Sequence, residues 1–266
     1  MAGEENIKKI VPIMMEESGL IKSHSSQQEK KMAKKTSFEK IVPRIIEKGF
    51  ENVNLSMFNE EMKKEILQAA GDEYVKRGMM TNAIKVFAII SNTKRLVEIG
   101  IKFEDETNYK GAIEAYSLAK ADHKLLALGE KCLKIGNLSD ASRAFMSLNE
   151  KDKLNQVAEE WFNRERFDYS IEIFNQIGNK EKLIEVGDDC LEKRQYAYAA
   201  RAFELAQDQD RLNKLADICF KEGLLSTSFK LYKLAENEIM VQFMIENFSD
   251  KNLSIDSGET NKDGME

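Results

Sequence analysis

Apolar residues follow a regular pattern through most of the chain, and their spacing is that of α-helices. Leucine recurs every 29 residues, at Leu67, Leu96, Leu125, Leu154, Leu183 and Leu212. In the copy that begins at Leu183, further apolar residues follow at Val186, Cys190 and Leu191. This spacing places the side chains on one face of an α-helix. The first part of each copy therefore predicts an amphipathic helix.

The second part of each copy predicts another helix. A small residue stands sixteen positions after the leucine and an aromatic residue four positions later, as at Ala199 and Phe203. Between the helices, where the first is expected to end, three copies have glycine: Gly78, Gly136 and Gly223. Asn or Asp, the residues that favour helix starts, precedes the next first helix at Asn92, Asp122, Asn179, Asp208 and Asn237. Each copy is thus a predicted helical hairpin that buries its apolar face by stacking on the next.

A small residue also follows each leucine by four positions, at Gly71, Gly100, Gly129, Ala158, Gly187 and Ala216. With it, the pattern resembles the tetratricopeptide repeat, W-x2-L-G-x2-Y-x8-A-x3-F-x2-A-x4-P over about 34 residues. The fifth copy matches at Leu183, Val186, Gly187, Cys190, Ala199, Phe203 and Ala206, and the second at Leu96, Ile99, Gly100, Phe103, Ala112, Tyr116 and Ala119. Leucine replaces the tryptophan, the late proline is missing and the period is shorter. Short hairpins of this kind are also similar to the arrays of vesicle-coat and intraflagellar-transport subunits.

The fold predicted from the period and the resemblance is all-α: a right-handed α-solenoid of six tetratricopeptide-like hairpins over residues 67–240. Before it, we expect an N-terminal arm with a short helix and a flexible Lys-rich linker at 1–37, then a degenerate repeat or N-terminal cap at 38–66. After it, we expect a capping helix at 241–249 and a disordered acidic tail at 250–266.

A short motif is duplicated near the N-terminus. Lys9-Ile10-Val11-Pro12 reappears as Lys40-Ile41-Val42-Pro43, and these are the two prolines of the chain. One interpretation is a helix start with proline in the first turn. The other is that residues 6–18 are a detached copy of a docking helix, which binds an array surface in the same chain or in another. Both remain open from the sequence.

Charge and hydropathy narrow the classes of partner. The chain has 266 residues with 40 Lys and Arg against 46 Asp and Glu, a formal net charge of −6. This balance gives no electrostatic reason to expect nucleic acid. No apolar run approaches the length of about 20 residues that crosses a membrane, and none has the form of a secretory signal. We therefore expect a cytoplasmic protein without membrane insertion.

Candidate chemistry is scarce. Cys132, Cys190 and Cys219 share one repeat position, which predicts three core residues rather than a metal or redox site. His24 and His123 have no ligand-type residue at a metal-binding spacing. Neither a phosphate-binding loop nor a dinucleotide fingerprint is present. The sequence predicts no catalytic residue, no metal site and no cofactor, so the protein is not expected to be an enzyme.

One polar position recurs directly after the small residue of the first helix. It is acidic in five of the six copies, at Asp72, Glu130, Glu159, Asp188 and Asp217, and is Ile101 in the other. In tetratricopeptide arrays the first helices line the concave surface, so the resemblance implies an acidic row there that attracts a basic peptide or helix. Alternatively, these acids simply suit the helix dipole and water. The second and ninth positions of the copies supply additional apolar surface, which indicates either tighter stacking of the short repeat or a partly apolar groove. These residues include Val97, Leu126, Leu133, Phe162, Ile184, Leu191 and Phe220.

These observations favour a non-catalytic scaffold or adaptor that binds a segment of another protein on the concave face. Two alternatives stay open: a self-associating structural subunit of a larger coat-like or transport-like assembly, or a regulatory helper of a separate enzyme. An RNA-binding array is less consistent with the acidic row, because carboxylates repel phosphate.

Overall fold

A computed structural model describes residues 41–248, and every regular element in this range is helical. Helix α1 (residues 41–48) is followed by a 3-10 turn at Phe50–Asn52. The first helices of successive hairpins are α2 (Glu60–Lys76), α4 (Thr93–Asp105), α6 (Asp122–Lys134), α8 (Lys151–Asn163), α10 (Lys180–Glu192) and α12 (Gln209–Lys221), followed by α14 (Glu238–Phe248). The second helices are α3 (Met80–Ile89), α5 (Tyr109–Ala119), α7 (Leu138–Leu148), α9 (Phe167–Ile177), α11 (Tyr196–Ala206) and α13 (Leu225–Leu234).

The chain divides into two compact units between Leu125 and Leu126, inside α6. In the first unit, α2 packs on α3, α3 on α4, and α4 on α5. In the second unit, every helix from α7 to α13 packs on the one that follows it. This order confirms an all-α α-solenoid of stacked hairpins, and it is compatible with a tetratricopeptide-like repeat. The expected arm at 1–37 and tail at 250–266 lie outside the described residues, and the segment boundaries and handedness remain predictions.

The close contact within each hairpin is made by an aromatic ring of the second helix on the small residue of the first. A Cβ atom added at Gly187 would lie 2.3 Å from Phe203 Cε1, which is closer than two non-bonded carbon atoms can approach. Equivalent contacts join Gly71 to Phe87, Gly100 to Tyr116 and Gly129 to Phe145. The rings are fully buried. The absence of a side chain at these glycines therefore sets the helix-to-helix distance.

The predicted helix caps are present with one exception. The side chains of Asn92, Asn179, Asp208 and Asn237 each accept a hydrogen bond from the backbone N–H three residues later. The prediction for Asp122 is wrong, because Asp122 is the first residue of α6. The cap position lies four residues before the leucine, and before Leu125 it is held by Ala121, which has no side-chain acceptor.

The turns inside the hairpins all use a left-handed backbone, whether or not glycine is present. The predicted helix-ending glycines have positive φ angles: 74° at Gly78, 77° at Gly136 and 80° at Gly223. At the corresponding position the other copies have Thr107, Glu165 and Arg194, with φ of 58°, 56° and 58°. Because a left-handed conformation is unfavourable for these residue types, the packing of the two helices must impose the turn.

The three cysteines are buried and are not joined by a disulfide, as their repeat position predicts. Burial, with a smaller effect from the charge of Asp189, raises the pKa of the Cys190 thiol to about 12. Burial also raises the pKa of Cys219. These thiols therefore serve as small apolar core residues.

Candidate functional site

The acidic residues singled out in the sequence lie on the first helices, and four of them pair with a base on the following first helix. Within the first unit, Asp72 of α2 pairs with Arg95 of α4. Within the second unit the pairs and their N–O distances are Glu130–Lys153 at 2.7 Å, Glu159–Lys182 at 3.3 Å and Asp188–Arg211 at 2.9 Å. We refer to these four ion pairs as the paired row. Each pair links two successive hairpins of its own unit and is partly exposed to solvent.

The paired row is visible in the sequence as a recurring basic residue as well as a recurring acid. Each base stands 23 residues after its acid, directly before the leucine of the next copy. Aspartate is matched with arginine in two pairs and glutamate with lysine in the other two. A shorter acid thus faces a longer base, which keeps the reach across the two helices similar.

Three bases of the paired row bind a second carboxylate as well. Arg95 also pairs with Glu98 at 2.6 Å. Lys182 also pairs with Glu185 at 2.8 Å. Arg211 also pairs with Asp208 at 2.8 Å. Each of these sites contains two carboxylates and one base, so the paired row keeps an excess of negative charge.

The ion pairs shift the pKa values of individual side chains. A hydrogen bond from Lys153 holds the pKa of the Glu130 carboxyl below its ordinary value. Hydrogen bonds to Glu185 and Glu159 raise the pKa of Lys182, although burial opposes this shift. The pairing therefore favours the charged forms of Glu130 and Lys182.

Asp217, the fifth predicted residue, has a different partner. The residue 23 positions later is Met240, which carries no charge. Asp217 instead accepts a 2.5 Å hydrogen bond from the Tyr232 hydroxyl within the same hairpin. Burial, together with this hydrogen bond to Asp217, raises the pKa of Tyr232 to about 12. The paired row thus ends at α12, where Arg211 is its last base.

A second set of contacts between first helices joins amide side chains. The capping residue Asn179 donates from Nδ2 to Asn155 Oδ1 over 2.8 Å. Asn92 donates to Gln68, and Asn237 donates to Asn213, in the same way. In copies where the acceptor position is apolar (Val97, Leu126 and Ile184), the residue 24 positions later is Ala121, Glu150 or Asp208. An asparagine cap thus occurs where the preceding copy offers an amide to bind.

Apolar side chains flank the paired row. The residues predicted to add apolar surface are each half-buried, namely Val97, Leu126, Leu133, Phe162, Ile184, Leu191 and Phe220. Surface clefts lie between successive hairpins of the second unit. One of about 530 Å³ is lined by Asn155, Gln156, Glu159 and Ile177 among others. The face of the first helices thus alternates charged, amide and partly exposed apolar side chains.

An aromatic cluster in the second unit was not foreseen. Trp161 and Tyr169 stack with ring centroids 4.7 Å apart, and the Arg166 guanidinium lies 4.9 Å from the Tyr169 ring centre. Phe167 lies 5.9 Å from Tyr198. The sequence signal is an aromatic residue next to the small position of the second helix, which occurs at Tyr169 and Tyr198.

Within residues 41–248, no three His, Cys, Asp or Glu side chains are grouped so that they would hold a metal ion. In the same range, no helix has both the length and the apolar character needed to cross a membrane.

Comparison with known proteins adds no assignment. No family model matches the chain, and a search of curated proteins finds no significant relative.

Proposed function

We propose that the protein is a cytoplasmic, non-catalytic scaffold or adaptor, and that it binds a segment of another protein along the first helices. The observation that carries the proposal is the paired row with its excess of carboxylates and its flanking apolar residues. The resemblance to tetratricopeptide-like arrays, whose first helices line the binding surface, supports the same face.

The chemistry of this face favours a basic partner with apolar side chains. Lys or Arg of a partner would compete for carboxylates such as Glu159 and Asp188, which remain partly exposed in their pairs. Hydrogen bonds between charged groups are stronger than those between neutral ones. Half-buried residues such as Ile184 would supply apolar contact area to the same segment.

The proposal is tested with the partner that co-purifies with the chain from its native cell. We expect the double substitution Glu159→Gln and Asp188→Asn to weaken binding of that partner at least tenfold, about 1.4 kcal/mol, in titration calorimetry at low salt. The double substitution Glu172→Gln and Glu204→Gln is the matched control, because both residues are exposed on second helices. Equal affinity of both double variants would refute binding along the paired row.

A further inference from the structure

Helix α14 has apolar side chains that remain partly exposed, although its Phe243 and Phe248 contact Phe220 of α12. Seven of its 11 residues are apolar, but Met244 is its one buried residue. Ile239, Phe243 and Ile245 are 83%, 42% and 37% exposed. By contrast, α10 and α12, the two preceding first helices, each bury four residues. Exposed apolar residues grouped on one element are typical of an interaction site.

The position of α14 in the repeat indicates which kind of neighbour it lacks. Val241 and Met244 occupy the places of Leu212 and Leu215, so α14 has the pattern of a first helix. Ile245 occupies the position where the six copies have Gly or Ala beneath an aromatic ring. A branched side chain there leaves no room for that ring, so a second helix cannot follow α14 and close a hairpin on it as in the six copies. Another first helix does not need this ring contact and is a neighbour that fits.

The parts of the chain outside residues 41–248 include one segment with the pattern of a first helix. Apolar residues at first-helix spacing occur at Ile7, Ile10, Val11, Met14 and Met15. The C-terminal residues 249–266 contain three apolar residues, Leu253, Ile255 and Met265, without this spacing. We refer to residues 7–15 as the N-terminal segment.

The duplicated motif shows how such a segment packs. Ile41, Val42 and Ile45 of α1 correspond to Ile10, Val11 and Met14. In α1 the side chain of Ile45 is fully buried, and its carbonyl oxygen accepts a 2.9 Å hydrogen bond from Tyr74 of the first helix α2. This pattern is therefore one that packs against a first helix. Val11, Val42 and Ile245 are all branched residues, and each stands where the six copies have Gly or Ala.

Charge favours the N-terminal segment over a second α14 helix as the occupant. α14 carries Glu238 and Glu246 and no basic residue. Two α14 helices packed together would bring like charges close to one another. The charged residues of the N-terminal segment are Lys8 and Lys9, whereas Glu4, Glu5, Glu16 and Glu17 lie outside it. The segment itself therefore complements the glutamates of α14.

We propose that α14 of one molecule binds the N-terminal segment of a second copy of the chain. The motif Lys9–Pro12 precedes its duplicate Lys40–Pro43 by 31 residues, close to the 29-residue period. A segment from a second copy would therefore follow α14 as the next first helix and precede the α1 of its own chain. Such a contact joins two different surfaces and is head to tail. This self-association is separate from partner binding on the paired row.

The test uses full-length chains with a defect in one of the two surfaces. Met14→Asp disables the N-terminal segment, and Ile239→Asp disables α14 at a side chain exposed enough to leave folding intact. We expect the unmodified protein to show a mass that rises with concentration in sedimentation velocity at micromolar concentrations. Each variant alone is expected to stay monomeric. An equimolar mixture of the two has one intact contact and is expected to form dimers and nothing larger.

Ile89→Asp is the matched control, because Ile89 is 59% exposed at the end of α3 and is expected to leave association unchanged. Continued association of the Met14→Asp variant would mean that α14 or another surface binds itself, and would overturn the proposal. A mixture that stays monomeric would overturn it as well. If the unmodified protein is monomeric and Met14→Asp accelerates hydrogen exchange in α14, the segment binds within its own chain and the second copy is excluded.

Discussion

At the scale of single residues, the small residue beneath each aromatic ring sets how closely the two helices of a hairpin pack. Alanine is accommodated at this position in two copies, at Ala158 and Ala216. At Gly187 the ring of Phe203 is already too close for a Cβ atom. The period predicted a small residue here, but the size tolerated in each copy depends on the local distance between the helices.

Gly187→Ala is expected to destabilise the protein by about 1–3 kcal/mol, because the new methyl group overlaps the Phe203 ring. In a solvent-exposed helix, replacing Gly with Ala stabilises the protein by about 1 kcal/mol. A loss of stability at Gly187 would therefore be specific to the contact with Phe203. Urea unfolding followed by circular dichroism measures the difference.

The control is the double variant Gly187→Ala with Phe203→Leu. If the ring causes the loss, the double variant is less destabilised than the sum of the two single variants. Strict additivity would show that the methyl group is harmful for another reason.

Cys190 is expected to resist alkylation in the native protein. Its thiol is buried and its pKa is raised to about 12, so almost no thiolate forms at about pH 8, and the thiolate is the nucleophile. Mass spectrometry after iodoacetamide treatment should find Cys190 unmodified until denaturant is added. Rapid labelling without denaturant would contradict the core position.

At the scale of elements, the side chains that join one first helix to the next explain why the hairpins stay in register. Asn179 has two roles, since it caps α10 by accepting from the Lys182 backbone N–H and it donates to Asn155 of α8. Asn155 takes part in the second contact but not in the cap. The two residues therefore allow the two roles to be separated.

Asn179→Ala is expected to cost about 1–2 kcal/mol, since a helix cap and an inter-hairpin hydrogen bond are both lost. Asn155→Ala leaves the cap intact but removes the inter-hairpin hydrogen bond and the hydrogen bond from Asn155 to Glu159 within α8, and it is expected to cost about 1 kcal/mol or less. Thermal unfolding of the two single variants and the double variant provides the comparison. Equal losses at both positions would show that the cap contributes nothing.

At the scale of the whole molecule, contacts between neighbouring helices account for the packing of each unit. Stability in such arrays is close to a sum of hairpin and neighbour terms, so damage to one hairpin weakens its neighbours first. The boundary between the two compact units lies inside α6. Damage to a hairpin of one unit should therefore affect the helices of that unit first, and this can be measured.

Phe203→Ala is expected to destabilise the second unit by about 3–5 kcal/mol, because a fully buried ring is removed. Hydrogen exchange should accelerate in α10, α11 and α12 before any change appears in α2 and α3 of the first unit. Uniform acceleration in both units would mean that the chain unfolds as one cooperative block.

The sequence alone determined the helices, their hairpin order and most of their ends. These follow from local spacing, as between Leu183 and Val186, and from residues such as Asn179 that act on their own helix. The same local information identified the acids at Asp188 and its equivalents, and the buried cysteines.

The tertiary structure decided what those residues contact. Arg211 and Asp188 are 23 residues apart, and their pairing depends on two first helices lying side by side. The error at Asp122 has a similar origin, because the packed register, and not the nearest acid, sets the start of α6. The exposure of α14 also depends on packing, since its sequence resembles that of the first helices that are buried. Local propensity acts within a few residues of the chain, whereas ion pairing and burial depend on distances that exist only once the helices have stacked.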